Sequence, residues 1–457
     1  MKMIGSVSRA MPSVLNPSLR RYLLKKNDYM IVSTQKAKYL FLSDSLRYFK
    51  ITDRSVDAYL GVCQTGGASK TSLTEKEIIS IGNFLSRNDN HETISPQDNG
   101  HDFLILNLTN ACNLTCTYCF TETTKNHRTM TFEVAEKAIQ AMIKQNKSNE
   151  YSIYFFGGEP LMQKKLVKQI TMYAYEEIVT KKKGKVTFLL NTNATLIDDE
   201  IIQLFRKYDF KVTVSLDGPM PQHNKNRVYA SGKGSFEKVV ESINALKKNR
   251  VRTDIKATFS PDTEDLVSVF SFFESLQLPY FYSFTISADY KMNTEETYFE
   301  EEQFIAAEKE LRKVMDFFFS KMMRGETIYY SGLNQKLAIL KYKLIRSHSC
   351  EAGRKSLTVD EQGNYYACQN MIPYKQTIIG NVNWGVSETQ KHLYRSEDVD
   401  DLNECNYCTI RNLCAGGCMV GRCNSNGKTH RQMCRLFHIE WQNLLYFYAL
   451  INEIKKN

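Results

Sequence analysis

Nowhere in this 457-residue chain is there a run of eighteen or more apolar residues, the length a membrane-crossing helix needs. The N-terminus also lacks a contiguous apolar segment of signal-peptide type. That pattern excludes a helical membrane span, so a cytoplasmic chain with no membrane partner is expected. Charge of one sign is not concentrated either. The formal excess is +10, but the basic residues are scattered, and the run Lys181 to Lys185 reads as a solvated loop between a helix and a strand. No nucleic-acid partner is expected from it. Cysteine, by contrast, is plentiful: twelve residues, one at 63, three between 112 and 119, and eight between 350 and 434. In a reducing compartment such cysteines bind metal or do redox chemistry rather than form disulfides.

Six short β-rich runs follow one another at Phe103–Leu108, Tyr151–Phe156, Val186–Asn191, Lys211–Leu216, Thr253–Phe259 and Tyr280–Ile286. Helical periodicity fills the gaps, as at Phe132–Gln145, Glu200–Tyr208 and Ser235–Lys248. Alternating strand and helix implies a parallel sheet with right-handed crossovers. The expected fold class is α/β, a partial (β/α)6 relative of the eight-unit barrel with its chemistry at the C-terminal strand ends. Each unusual motif follows a strand directly: CNLTCTYCF after the first, GGEP after the second, NTNATL after the third and SLDGP after the fourth.

The domains expected are residues 1–95, a barrel at 100–295, a helical linker at 296–347 and a cysteine-rich segment at 348–457. A polar linker is expected at Asn88–Asn99. In the first unit two β-like runs, Tyr29–Ser33 and Lys38–Ser43, precede helical patterns at Ser55–Val62 and Thr74–Arg87. A charged helix from Glu300 to Met323, a second ending near Ile345 and a last one from Phe437 to Ile454 complete the pattern.

Cys112, Cys116 and Cys119 form Cys-x3-Cys-x2-Cys on the loop after the first barrel strand. Three thiolates leave one iron of a four-iron cluster open, and an open iron can bind the amino and carboxylate groups of S-adenosylmethionine (SAM). A zinc knuckle is the alternative, but zinc sites usually add a second cysteine pair or histidines nearby, and none follows here.

This motif resembles that of the radical SAM superfamily. The resemblance implies a backbone contact from Tyr118 to adenine, and close approach of Gly157 and Gly158 to the methionine moiety, with Glu159 on its ammonium. It also implies that Ser215 and Arg227, in SLDGPMPQHNKNR, hold ribose and carboxylate as in the sulfatase-maturating branch, and that Asn191 and Asn193 add polar contacts.

From Cys350 the spacing is Cys-x12-Gly-x4-Cys, with Gly363 inside and Cys368 at its end. Then come Cys405, Cys408, Cys414 and Cys418 as Cys-x2-Cys-x5-Cys-x3-Cys, and finally Cys434. This is similar to the SPASM extension of radical SAM peptide-modifying enzymes. The likeness implies two auxiliary clusters, hence three [4Fe-4S] clusters in all. Cys405, Cys408, Cys414 and Cys434 would hold the outer one, and Cys350, Cys368 and Cys418 the inner one. Either Cys423 completes the inner set or the site stays open for a substrate thiolate. Zinc-ribbon ligation of the same thiols is the competing chemistry. Cys63, alone, reads as a small buried hydrophobe.

Within the SPASM group the substrate is either a sulfatase side chain or a ribosomal precursor peptide. The sulfatase-maturating branch places an aspartate after the Gly-x4-Cys cysteine as proton acceptor; here that residue is Gln369, which cannot take a proton. A β-hairpin followed by helices at the N-terminus resembles the winged-helix, PqqD-like element that grips a leader peptide by strand addition; a purely structural cap is the alternative. The resemblance therefore implies an oxidoreductase maturing a ribosomal precursor peptide, whose leader the first domain binds and to which flavodoxin or ferredoxin supplies electrons. CEAG at Cys350 and LCAGGC at Cys414 most resemble thioether-forming members. Carbon–carbon crosslinking, formylglycine formation in a sulfatase, and a non-catalytic zinc-ribbon protein remain as other readings.

Overall fold

The structure, a computed structural model, describes residues 28–51, 54–65, 73–85, 93–94, 101–119, 127–259, 263–284, 300–423 and 428–454. The start of the expected first domain, most of the expected linker at Asn88–Asn99, and the strand end at Ile286 lie outside them.

Tyr29–Ser33 (β1), Lys38–Leu42 (β2) and Arg47–Lys50 (β3) form an antiparallel sheet, followed by helices Arg54–Gln64 (α1) and Glu75–Leu85 (α2). The third strand was not expected, because its four residues begin and end on a cation. Alternation along β2 gives the sheet two apolar faces. Leu40 and Leu42 pack with Tyr59, Leu60 and Ile78, and Cys63 is buried among them as expected. Tyr39 and Phe41 turn the other way, into the main core. There Tyr48 donates from its hydroxyl to the Leu445 carbonyl at 3.2 Å, on a C-terminal helix running Lys428–Ile454. That helix starts nine residues before the expected Phe437, because Met433 and Leu436 already bury its inner face at helical spacing. Cys434 therefore sits on a helix and not in a loop.

After a short strand, Thr93–Ile94 (β4), the expected alternation holds throughout: Phe103–Asn107 (β5), Phe132–Gln145 (α3), Glu150–Phe156 (β6), Lys164–Tyr175 (α4), Lys185–Thr192 (β7), Asp199–Lys207 (α5), Lys211–Ser215 (β8), Met220–Asn226 (α6), Phe236–Lys248 (α7), Arg252–Phe259 (β9), Leu266–Leu276 (α8) and Tyr280–Phe284 (β10). The strands from β5 to β10 are parallel and adjacent in chain order, the signature of a barrel built from six units. Helix starts are capped by side chains: Thr131 accepts from the Val134 amide and Asp198 from the Ile201 amide. On β9, Thr253, Ile255, Ala257 and Phe259 are buried while Asp254, Lys256 and Thr258 between them are half-buried, so the second set lines the concave interior.

Glu301–Met323 (α9) and Ser331–Tyr342 (α10) lead to Ile345–Arg346 (β11), which pairs with β4. The barrel sheet does not stop at β5. Ser356–Val359 (β12) adds to it in parallel, and Asn364–Tyr366 (β13), Gly380–Asn381 (β14) and Gly385–Val386 (β15) extend it as an antiparallel meander to ten strands. The cysteine-rich segment thus shares a sheet with the barrel.

Candidate active site

The loop carrying Cys112, Cys116 and Cys119 is clamped from two sides. On one, the Gly158 amide donates to the Thr109 carbonyl at 2.8 Å and the Glu159 amide to the Ala111 carbonyl at 2.9 Å. A Cβ on Gly157 would lie 2.4 Å from Thr109 O, and one on Gly158 2.2 Å from Ala111 O, so only glycine permits this approach. On the other side, the Thr115 and Thr117 amides donate to the carbonyls of Val228 and Asn226 at 2.8 and 3.1 Å.

The three thiols influence one another electrostatically. Burial, chiefly, pushes Cys112 up to about 12 and Cys116 to about 11. Nearby donors are already in place: the Leu114 amide lies 3.4 Å and the Asn193 side-chain amide 3.8 Å from Cys112 Sγ. Asn193 also donates to Asn113 at 2.9 Å, so its amide serves the cluster loop. Asn191, two residues earlier and on the concave side, keeps a buried Oδ1 with no hydrogen-bond partner among the described residues.

Glu159 is fully buried, and its carboxylate accepts from Leu161 N, Thr192 Oγ1 and Asn193 N at 2.9, 2.8 and 2.7 Å. Burial pushes its pKa to about 7 against the pull of those donors. Its visible work is to tie the GGEP turn to the NTN turn, not to point a carboxylate at open space.

Ser215 ends β8 and is paired by register with Lys256 on β9. Arg227 is nine-tenths buried, and its Nε donates to Asp217 Oδ2 at 2.9 Å. The Tyr118 hydroxyl donates to the same oxygen. Asp217 Oδ1 accepts from the Thr258 amide at 2.9 Å, and the Asp217 amide donates to His223 Nδ1 at 3.3 Å. His223 then donates from Nε2 to Ser235 Oγ at 2.9 Å, since that hydroxyl gives its own proton to the Arg227 carbonyl. Burial holds His223 down at about 4, hence neutral at ordinary pH. Asp217 and His223 lie within the quoted stretch SLDGPMPQHNKNR, yet nothing in the spacing says that they organise it.

The later cysteines fall into two sets. Cys368 is pushed to about 12 by burial and by the charges of Cys418 and Cys350. The Gly353 amide donates to the Ala367 carbonyl at 3.2 Å, and Ser349 Oγ donates to the Gly417 carbonyl, which draws those three loops together. Cys414 is likewise pushed to about 12 by burial, then by Cys434, Cys408 and Cys405. Within each set the other thiols lie close enough to raise the pKa of Cys368 or of Cys414. Cys423 closes a short helix, Met419–Cys423; its side chain lies outside the described residues. Among the described residues no three histidine, cysteine or acidic side chains close on a point in the manner of a single-ion site.

Two cations that sequence reading passed over stand at the seams. Lys256 feels Arg227 and Asp217 on one side and Cys368 on the other, and burial lowers its pKa. Arg346 feels both Cys414 and Cys350; its Nη2 donates to the Leu413 carbonyl at 3.0 Å, while its buried Nε has no partner among the described residues. The orphaned Asn191 Oδ1, the orphaned Arg346 Nε and the thiol sets fit SAM and iron–sulfur groups by chemistry and placement.

Comparison with known proteins agrees with this arrangement. Residues 106–265 match the radical SAM superfamily. The chain is 26% identical over 340 residues to the cysteine-type anaerobic sulfatase-maturating enzyme of Clostridium perfringens, covering 69% of this chain and 88% of that protein. It is 34% identical over 152 residues to the uncharacterized protein MJ0907 of Methanocaldococcus jannaschii, a match spanning about half of that relative. In fold it resembles anSMEcpe with bound AdoMet and Kp18Cys peptide (TM-score 0.65, 21% identity, covering 78% of this chain and 99% of that one). It also resembles Streptococcus suis SuiB bound to precursor peptide SuiA (0.50, 13%, 87% and 95%). Residues 106–265 are thus a radical SAM domain, and the chain is an enzyme homologous to anaerobic sulfatase-maturating enzymes and radical SAM peptide modifiers.

Proposed function

We propose that this enzyme matures a ribosomally made precursor peptide by installing a crosslink, a thioether from a peptide cysteine to a carbon of the same peptide. The observation that carries the reading is the continuity of β12 with β5, which builds the segment bearing the auxiliary cysteines onto the barrel wall, so that Lys256 of β9 feels Cys368 as well as Arg227 and Asp217. Among the similar structures, anSMEcpe binds the Kp18Cys peptide and SuiB the precursor peptide SuiA, which supports a peptide substrate.

When bound at Cys112, Cys116 and Cys119, the cluster and SAM supply reductive cleavage to a 5′-deoxyadenosyl radical. The chain's own part is positional. Gly157 and Gly158 bring the backbone against the cluster loop, Asn191 and Ser215 would offer polar contacts to SAM, and the Asp217 network fixes Arg227 and Tyr118. Cys350, Cys368 and Cys418, and the four outer cysteines, would hold two further [4Fe-4S] clusters, which would supply electron-accepting sites. The N-terminal sheet would bind the leader along a strand edge, and a flavodoxin or ferredoxin would be the reductant.

Anaerobic reaction with SAM, dithionite and the peptide encoded beside the gene tests this. A peptide product lighter by two hydrogens and lacking its free thiol is expected. A product that keeps its thiol but gains a carbon–carbon bond overturns the thioether.

A further inference from the structure

Cys434 and His438 stand four residues apart on the C-terminal helix and so project from one face of it. Cys434 is electrostatically coupled to Cys414 of the outer set. His438 reaches another member of the same set: its Nε2 lies 3.3 Å from Cys408 Sγ. A thiolate bound to iron has no proton to give and can only accept. Once Cys408 is a ligand, that contact therefore fixes the imidazole tautomer, with the hydrogen on Nε2.

We propose that His438 is a positioning residue of the outer cluster, donating an N–H···S hydrogen bond to Cys408 that fixes the orientation of this ligand and raises the cluster's reduction potential. The inference rests on the reading of Cys405, Cys408, Cys414 and Cys434 as one iron–sulfur ligand set. The physical cause is charge. Reduction adds an electron to the cluster and its sulfurs, and a donor aimed at a ligand sulfur stabilises the more negative state. Because the donor comes from the helix that also supplies Cys434, one rigid element holds a ligand and tunes its neighbour. No bond to carbon forms or breaks in this role; a better electron acceptor is its only consequence.

The test uses the full-length protein, reconstituted anaerobically with ferrous iron and sulfide, as wild type, His438→Phe and His438→Gln. Iron is counted and each protein is titrated potentiometrically with electron paramagnetic resonance detection. His438→Phe should shift one cluster's midpoint to a more negative value. His438→Gln, which keeps a side-chain donor, should lie between it and wild type. Loss of iron in the Phe variant with retention in the Gln variant would equally support the donor. Unchanged midpoints in His438→Phe with roughly twelve irons retained overturn the inference alone. Loss of roughly four irons in both variants would make His438 a ligand and also overturn it. A wild-type protein holding only about four irons would remove the outer cluster, and with it the functional reading beneath the inference.

Discussion

Tyr118 and Arg227 bond the same carboxylate oxygen, Oδ2 of Asp217, one from the cluster loop and the other from the residue just after α6. The guanidinium carbon also lies 5.4 Å from the centroid of the Tyr118 ring. With its second oxygen on the Thr258 amide, this one buried carboxylate fastens the cluster loop, the Arg227 segment and β9 together.

Removing its charge should therefore cost more than removing one of its contacts. Asp217→Asn leaves the Arg227 guanidinium buried without a counter-charge and should lower stability by about 3–5 kcal/mol. Tyr118→Phe removes a single hydroxyl and should cost about 1 kcal/mol. Urea unfolding of the three proteins decides. Equal losses for the two variants would show that Asp217 is not the organising group.

The thiols of the first loop are separable from the others. Replacing Cys112, Cys116 and Cys119 together by alanine should abolish 5′-deoxyadenosine formation while leaving roughly eight of roughly twelve irons, because the other ligand sets lie on different segments. Retained SAM cleavage would refute the assignment of that loop.

Much of this was legible because chemistry and periodicity coincide in the barrel. Each of the six expected barrel strands appears within two residues of its expected start, and the motifs after them meet because parallel strands end on one side. The division of the later cysteines came from the likeness to the SPASM extension and not from spacing; the structure sets Cys418 and Cys350 near Cys368, and Cys434, Cys408 and Cys405 near Cys414. Less visible were relationships made by register or by single hydrogen bonds. That β12 joins β5 depends on pairing across some 250 residues, which local pattern does not encode. Lys256 reads as an ordinary strand residue until the alternation of β9 turns it inward, and the pairing of Cys434 with His438 on one helix appears only once that helix is seen to begin at Lys428.

His223 gives the fold a measurable pH dependence. Its pKa is about 4 when folded, against an ordinary value of 6.5, because burial disfavours the charged ring. Between these values the unfolded chain binds a proton that the native state refuses, so this residue's contribution rises with pH through that window and is complete above it. As pH falls from about 6.5 to 4, wild type should lose up to about 3 kcal/mol relative to His223→Gln. Denaturant unfolding at several pH values measures the difference. Parallel pH profiles would show that the ring is not held neutral by the fold.

Asn191 separates a ligand-facing polar group from a structural one, because the two roles predict opposite signs for stability. Its Oδ1 is buried and has no partner among the described residues, and an unsatisfied buried acceptor costs about 1–3 kcal/mol. Asn191→Ala should therefore leave the fold as stable as wild type or stabilise it by about 1 kcal/mol. If that oxygen accepts a hydrogen bond from SAM, the same change should weaken SAM binding about tenfold, the worth of one good hydrogen bond. Calorimetric SAM titration of the reconstituted protein, with urea unfolding alongside, reads both quantities. Weaker SAM binding with an undiminished fold places Asn191 in the SAM site. Unchanged SAM affinity with a less stable fold would make the side chain a packing element of β7 and remove it from the site.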